Sequence, residues 1–251
     1  MNDDLTRFDG SIPENYDRGL GPVIFSDFGA DLSRRVGALN PRSVLELASG
    51  TGIVTRVLRD AVDANCELVA TDLSEEMLVL ARSKFDAGER VSFRPADAME
   101  LPFEDRSFDA VCCQFGVMFF PDKEQSYREA LRVLKPGGRY VFNVWCALEH
   151  NPFAQIAYDA AASFFSENPP QFYLLPFSYH DVEEVTGALA RAGFADVRGE
   201  TIRLDKAVQD YEKFAHGLVF GNPIAEEIRR RGGVDAETVK AAIAEALRTE
   251  F

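Results

Sequence analysis

The residues best equipped for chemistry in this 251-residue chain are acids and glycines that follow short apolar runs. Glu46 sits within the run Ser43-Val44-Leu45-Glu46-Leu47, and the glycine-bearing stretch Ala48-Ser49-Gly50-Thr51-Gly52 follows at once. Glycines there let the backbone approach a ligand closely and tolerate positive φ. Asp72 lies about 20 residues beyond Gly52, the spacing at which an acid suits the two hydroxyls of a ribose. Asp97, after a third apolar run, offers an acceptor for the exocyclic amine of an adenine. Gln114 and Phe115 close a fourth run, Phe108 to Phe115.

Two features argue against a nicotinamide dinucleotide. Its fingerprint wants a third glycine three residues after the second, where this chain has Thr55. A pyrophosphate at a helix N-terminus also wants no nearby anion, yet Glu46 lies within the motif. A carboxylate there suits a cationic ligand, such as one bearing an ammonium and a sulfonium.

These residues need a scaffold that brings successive strand ends together. Ser43–Leu47, Glu67–Thr71, Val91–Ala96, Phe108–Phe115 and Arg139–Trp145 read as five strands. Helical periodicity lies between them, as in Val54, Val57, Leu58 and Ala61, or Tyr127, Ala130, Leu131 and Leu134. Ser74 is placed to cap a helix with Glu75 and Glu76 in its first turn, and Pro136-Gly137-Gly138 stops another. Strand–helix alternation predicts an α/β fold with a mainly parallel sheet covered on both faces. Ligands bind such sheets outside the strands' carboxyl ends.

Residues 1–22 read as a loop-and-turn arm and Phe25–Leu39 as a helix. The aromatic, Pro-rich segment 151–180 reads as a lid, with an apolar or aromatic small-molecule pocket beneath. Val182, Val185 and Leu189 set out a helix ended by Gly193, and Phe194–Leu204 reads as a sixth, antiparallel strand. From about Gln209 the tail reads as helical. The expected organisation is an arm and helix (1–40), a cofactor-binding core (41–148), a lid insertion (149–180), the last helix and strand of the core (181–204) and a helical cap (205–251).

The net charge of −14 disfavours nucleic acid and anionic membranes as partners. Arg229-Arg230-Arg231, the sole basic run, reads as a solvated helix end. Cys66, Cys112, Cys113 and Cys146 lack zinc or redox spacing and read as reduced core residues. Three scattered histidines suggest no metal site. Met1-Asn2-Asp3-Asp4 lacks a signal-peptide pattern, and no apolar stretch is long enough for a transmembrane helix, so the expected location is cytoplasmic.

Residues 44–141 resemble a class I S-adenosylmethionine (SAM)-dependent methyltransferase, close to the ubiquinone/menaquinone C-methylase-like group. The resemblance rests on Val44–Gly52, Ala70–Met77, Ala96–Phe103, Cys113–Asp122 and Leu134–Gly138. It implies a Rossmann-like, doubly wound sheet with strand order 3-2-1-4-5-(7)-6. The sequence supplies a candidate for the sixth strand but nothing strand-like for the seventh. It implies that Glu46 anchors the methionine ammonium and that Ala48, Gly50 and Gly52 line that moiety with backbone. Asp72 would hold the ribose, Leu73 and Met77 the adenine face, and Asp97 and Ala98 the adenine edge. Gln114 would present its carbonyl near the ammonium, and Ser49 and Phe115 complete the set.

Such an enzyme would convert SAM to S-adenosylhomocysteine without a metal. It would methylate an O, N or C nucleophile of a small, apolar or aromatic molecule. Tyr16 and His150 are the candidates for a base or positioning role, ahead of Tyr179, His180 and His216. A SAM-binding regulatory protein without transferase activity is the alternative. Monomer and homodimer are both open.

Overall fold

The computed structural model describes residues 8–251; the acidic stretch at residues 1–4 lies outside them. Among the described residues, five strands form one sheet: β1 (Ser43–Glu46), β2 (Glu67–Asp72), β3 (Val91–Pro95), β4 (Phe108–Gln114) and β5 (Leu134–Asn143). Their order is β3-β2-β1-β4-β5, and every pairing is parallel. Strand order reverses between β1 and β4, where Glu46 stands opposite Cys112. The expected crevice therefore opens at the carboxyl ends of these two strands.

Alternate residues of each strand feed different sides. Val44, Leu68, Ala110 and Cys112 pack with Leu32 and Val36 of α2 (Ser26–Gly37) and with Val54 and Leu58 of α3 (Ile53–Ala61). Leu45, Val111 and Cys113 face a larger core with Tyr127 and Ala130 of α5 (Lys123–Val133) and Leu189 of α7 (Val182–Ala192). This period-2 alternation buries the sheet on both faces.

Local chemistry sets the helix ends. The Ser74 hydroxyl accepts from the Met77 amide at 3.2 Å to start α4 (Glu75–Arg82). Asp122 and Asp181 cap α5 and α7 in the same way, and Gly193, at φ 107°, ends α7. The Pro136-Gly137-Gly138 turn does not begin a new strand. Leu134 already pairs with Phe108 and Arg139 pairs with Ala110, so the turn bulges out of a continuous β5.

Two expectations are corrected. Residues 1–22 are not all loop: α1 spans Ile12–Gly19, with Pro13 in its first turn, and a π-helical turn (Gly21–Phe25) joins it to α2. Tertiary contacts hold α1. The Asn15 amide donates to the Phe220 carbonyl at 3.3 Å, and Asn15 Oδ1 lies 3.2 Å from His216 Nε2. Both partners belong to α8 (Tyr211–Phe220).

The sixth strand does not form. Residues 194–210 contain no strand, and the chain continues only into α8, α9 (Ile224–Arg231) and α10 (Ala236–Glu250). In the expected order the seventh strand separates the sixth from the fifth. Without it, Phe194–Leu204 has no neighbouring ladder to join; the Phe194 amide donates to the Leu189 carbonyl at 3.0 Å and side chains make further contacts. Phe194 meets the Tyr140 ring, and Asp196 pairs with Arg139 at 3.1 Å.

Candidate functional site

The carboxyl ends of β1, β2 and β4 and the loop after β3 converge on a cavity of about 720 Å³. Ala48, Gly50, Asp72, Leu73, Met77, Asp97, Ala98, Gln114, Phe115 and Tyr16 all line it. A small recess of about 30 Å³ lies beside it and adds Glu46 and Ser49. Gly52 borders neither space. It caps α3 at φ 77°, and a Cβ on it would meet Ala81 Cβ of α4 at 2.9 Å. Its role is to let the two helices touch.

Glu46 is 1% exposed. Burial pushes its carboxyl from an ordinary 4.5 up to about 8, with the Asp72 charge adding to the rise and the neighbouring Thr55 hydroxyl opposing it. Four buried oxygens are left without a hydrogen-bond partner here: Glu46 Oε2, Ser49 Oγ, Thr55 Oγ1 and Gln114 Oε1. Buried polar atoms are rarely orphaned unless a ligand or water completes them. An ammonium brings three N–H donors and a positive charge, matching Glu46 Oε2, Ser49 Oγ and Gln114 Oε1, the three that border the recess. Thr55, which the sequence marked only as a missing glycine, lines neither space; its hydroxyl neighbours Glu46.

Asp72 is held by the chain around it. Its Oδ2 accepts from the Gly50 amide at 2.8 Å and its Oδ1 from the Ser74 amide at 2.9 Å. Burial raises its pKa, and these amides pull it back. Two ionised oxygens offer about four acceptor positions, so room remains for two ribose hydroxyls. Asp97 Oδ1 accepts from Met99 N at 2.8 Å, which fixes the turn beneath the carboxylate. Leu73 is 76% exposed at the mouth, an apolar surface for a flat ring. Asp9, Asp72, Glu76 and Asp97 line the cavity, and no Lys, Arg or His does so among the described residues. This field suits a cation and repels a pyrophosphate.

Ala48 takes φ 51° and Phe115 φ 50°, both in the left-handed region. Non-glycine residues there carry a strain of about 1–2 kcal/mol each. Phe115 is locked in place. Its amide donates to the Asn143 carbonyl and to Asn143 Oδ1, both at 3.2 Å, and its ring stacks on Trp145 at 3.8 Å. Gly116 then allows Ala48 its methyl, because a Cβ on residue 116 would lie 2.6 Å from Ala48 Cβ.

The candidate bases separate. Tyr16 lines both spaces and stacks on Phe25 at 4.8 Å. Burial first, then the Asp72 and Asp17 charges, push its phenol well above its ordinary 10. The phenol is thus harder to ionise than an ordinary tyrosine, which favours a hydrogen-bonding or packing role over that of a base. His150 is exposed in a short 3₁₀ turn and does not line the cavity, so its place just past β5 does not bring it to the site. His180 Nδ1 sits 2.8 Å from the Phe177 carbonyl, and the Tyr179 hydroxyl bonds that of Tyr127 at 3.2 Å. With His216 on Asn15, all three are engaged in structural contacts, and none lines the cavity. The four cysteines are free, three of them buried.

Beyond the acids the cavity becomes an aromatic chamber. Phe119, Phe120, Trp145, Phe153, Phe172, Tyr173 and Phe177 wall it, with Leu218 and Asn222 from the α8 region. The sequence flagged only the 151–180 part of this wall. Phe119 and Phe120 stood in a recognised motif without a role, and no periodicity marks Asn222. A further link missed in sequence is Asp17 of α1. It accepts from the Thr51 hydroxyl at 2.6 Å and pairs with Lys84, tying the arm to the glycine stretch.

Comparison with known proteins agrees with this geometry. Residues 45–142 match the family described as Methyltransferase domain. The chain is 43% identical over 121 residues to the demethylmenaquinone methyltransferase of Thermus thermophilus, covering 45% of this chain and 54% of that protein. It is 31% identical over 205 residues to the demethylmenaquinone methyltransferase of Staphylococcus aureus, covering 75% and 83%. The chain thus spans little more than half of the Thermus protein. The Bacillus subtilis YcgJ structure shares the fold, with TM-score 0.51 and 22% identity over 67% of this chain and 69% of that one. Sheet order, strand-end acids and relatives together show that this chain belongs to the class I SAM-dependent methyltransferases of the ubiquinone/menaquinone C-methylase type.

Proposed function

We propose that this protein transfers a methyl group from SAM to a small, neutral, apolar or aromatic molecule held in the aromatic chamber. The observation that carries the reading is continuity: one cavity runs from Asp72 and Asp97 to the Trp145, Phe172 and Phe177 wall. When bound, SAM supplies a methyl carbon already activated for displacement. The chain's own part is alignment and water exclusion, which supply up to roughly 7–11 kcal/mol in well-oriented reactions. Glu46, Ser49 and Gln114 would hold the amino-acid end, Asp72 the ribose, and Asp97 with Ala98 the adenine edge.

Of the candidate bases, burial holds Tyr16 protonated and no histidine lines the cavity among the described residues. This favours an acceptor whose O, N or C nucleophile is reactive without help. The named relatives act on demethylmenaquinone, so reduced naphthoquinones are the first acceptors to try. Among the described residues no helix is long and apolar enough to cross a membrane. Calorimetry with SAM, S-adenosylhomocysteine and NAD, followed by a mass-shift screen of a metabolite extract incubated with SAM, tests the proposal. Saturable NAD binding without SAM binding overturns it. Tight SAM binding with no methylated product from any extract or quinol favours the regulatory alternative.

A further inference from the structure

The basic run in α9, expected to be merely solvated, holds part of the chamber wall. Arg229 and Arg230 pair with Glu226 at the surface, at 2.5 and 2.8 Å. Arg231 turns inward. Its Nε donates to the Asn168 carbonyl at 3.0 Å and its Nη2 to the Pro169 carbonyl at 3.1 Å. Arg231 also pairs at 2.9 Å with Glu227, a carboxylate only 9% exposed. Glu227 Oε1 accepts from the Gln171 amide at 2.8 Å and Oε2 from the Phe172 amide at 3.0 Å.

Successive amides gripped by the two oxygens of one carboxylate fix both the position and the orientation of a peptide. These are charge-assisted bonds, the stronger class. Their base is packed into the core, where Ile224 and Ile228 of α9 are fully buried. Beyond this grip the segment is held by Gln171 Nε2, which donates to the Pro169 carbonyl at 2.7 Å, and by the buried Tyr173 hydroxyl, which donates to the Leu218 carbonyl at 2.9 Å. The next residues after the grip are Phe172 and Tyr173, both lining the chamber. Phe172 also meets the ring of Phe8, whose carbonyl accepts from the Ser74 hydroxyl at the cofactor cleft.

We infer that the Glu227–Arg231 pair is a positioning device for the methyl acceptor: it sets how far Phe172 and Tyr173 project into the chamber, and so which acceptors fit. Neither residue lines the cavity, and both act through the backbone of residues 168–172. The inference rests on the methyltransferase reading for the word acceptor, but the geometry stands without it.

The chain's single tryptophan, Trp145, is 8% exposed in the same chamber and reports on access to it. The test is acrylamide quenching of Trp145 fluorescence in the full chain, beside calorimetry with S-adenosylhomocysteine. Glu227→Gln keeps the size of the side chain but can accept only one of the two amides. It should raise the quenching constant about twofold or more, because the wall opens locally. Its affinity for S-adenosylhomocysteine should stay within about twofold of the parent, since neither Glu227 nor Arg231 lines the cavity and the wall segment links to the cleft through the Phe172–Phe8 ring contact. Arg231→Lys, which keeps the charge but loses the fork, should fall between parent and Glu227→Gln. An unchanged quenching constant in Glu227→Gln overturns the inference. So does a parallel fall in S-adenosylhomocysteine affinity, which would mean that the whole domain had loosened. Failure of the parent protein to bind S-adenosylhomocysteine would sink the methyltransferase reading while leaving the quenching result to judge the positioning role.

Discussion

Replacing Glu46 with Gln isolates the electrostatic centre of the proposed site. In the empty protein the buried carboxyl titrates near 8 instead of 4.5. The folded state therefore keeps a proton that the unfolded chain gives up, and stability falls as pH rises from about 4.5, levelling off above about 8. Full expression of that difference corresponds to roughly 4–5 kcal/mol. An ammonium requires the ionised carboxylate, so binding must expel the proton. Between pH 6 and 7.5 the affinity for S-adenosylhomocysteine should rise by about tenfold per pH unit, with close to one proton released, and flatten above pH 8. This ligand lacks the sulfonium, so the ammonium is its only cationic group. Calorimetry in two buffers of different ionisation enthalpy counts the proton directly. Glu46→Gln should abolish both the pH dependence and the proton release. At pH 8 it should bind about 10- to 100-fold more weakly, the worth of a charge-assisted bond. The empty variant should also melt higher than the parent at pH 9, since it carries no buried charge. A parent protein whose affinity is flat from pH 6 to 7.5, with no proton released, would refute the reasoning.

Other consequences are equally direct. Asp72→Asn should weaken S-adenosylhomocysteine binding on the order of 10- to 100-fold by calorimetry, and unchanged affinity would refute the ribose assignment. Tyr16→Phe should lower the turnover number less than about tenfold, because its phenol is never ionised near neutral pH; a larger fall, with a rate profile titrating below pH 9, would restore it as a base. Gly116→Ala should lower the melting temperature, since its methyl would sit 2.6 Å from Ala48 Cβ and 2.7 Å from Cys113 Sγ. Adding Ala48→Gly should recover part of that loss; strict additivity of the two changes in thermal unfolding would show that the residues are not coupled.

The five parallel strands and their helices were legible because periodicity and capping are local. Apolar runs such as Phe108–Gln114 and the Ser74, Glu75, Glu76 start of α4 carry their own signals. The acids of the candidate site were legible for the same reason: each stands at or just after a strand's end, and a parallel sheet places all such ends on one side. Where the sequence misled, the missing term was a partner. Phe194–Leu204 has strand character but no seventh strand to pair with, and Ile12–Gly19 is a helix through its contacts with α8. His150 was judged by its place after β5, whereas its exposure depends on how the chain turns afterwards.

By itself, the sequence determined the five-stranded sheet and the acids at or just after the ends of β1, β2 and β3. Only the tertiary structure decided which oxygens are left unpaired around Glu46, that Tyr16 stays protonated, and that α9 grips the wall carrying Phe172. The reason is physical. Strand ends are set by residues adjacent in the chain, but desolvation and hydrogen-bond satisfaction depend on groups that may be 55 residues apart, as Glu227 and Phe172 are.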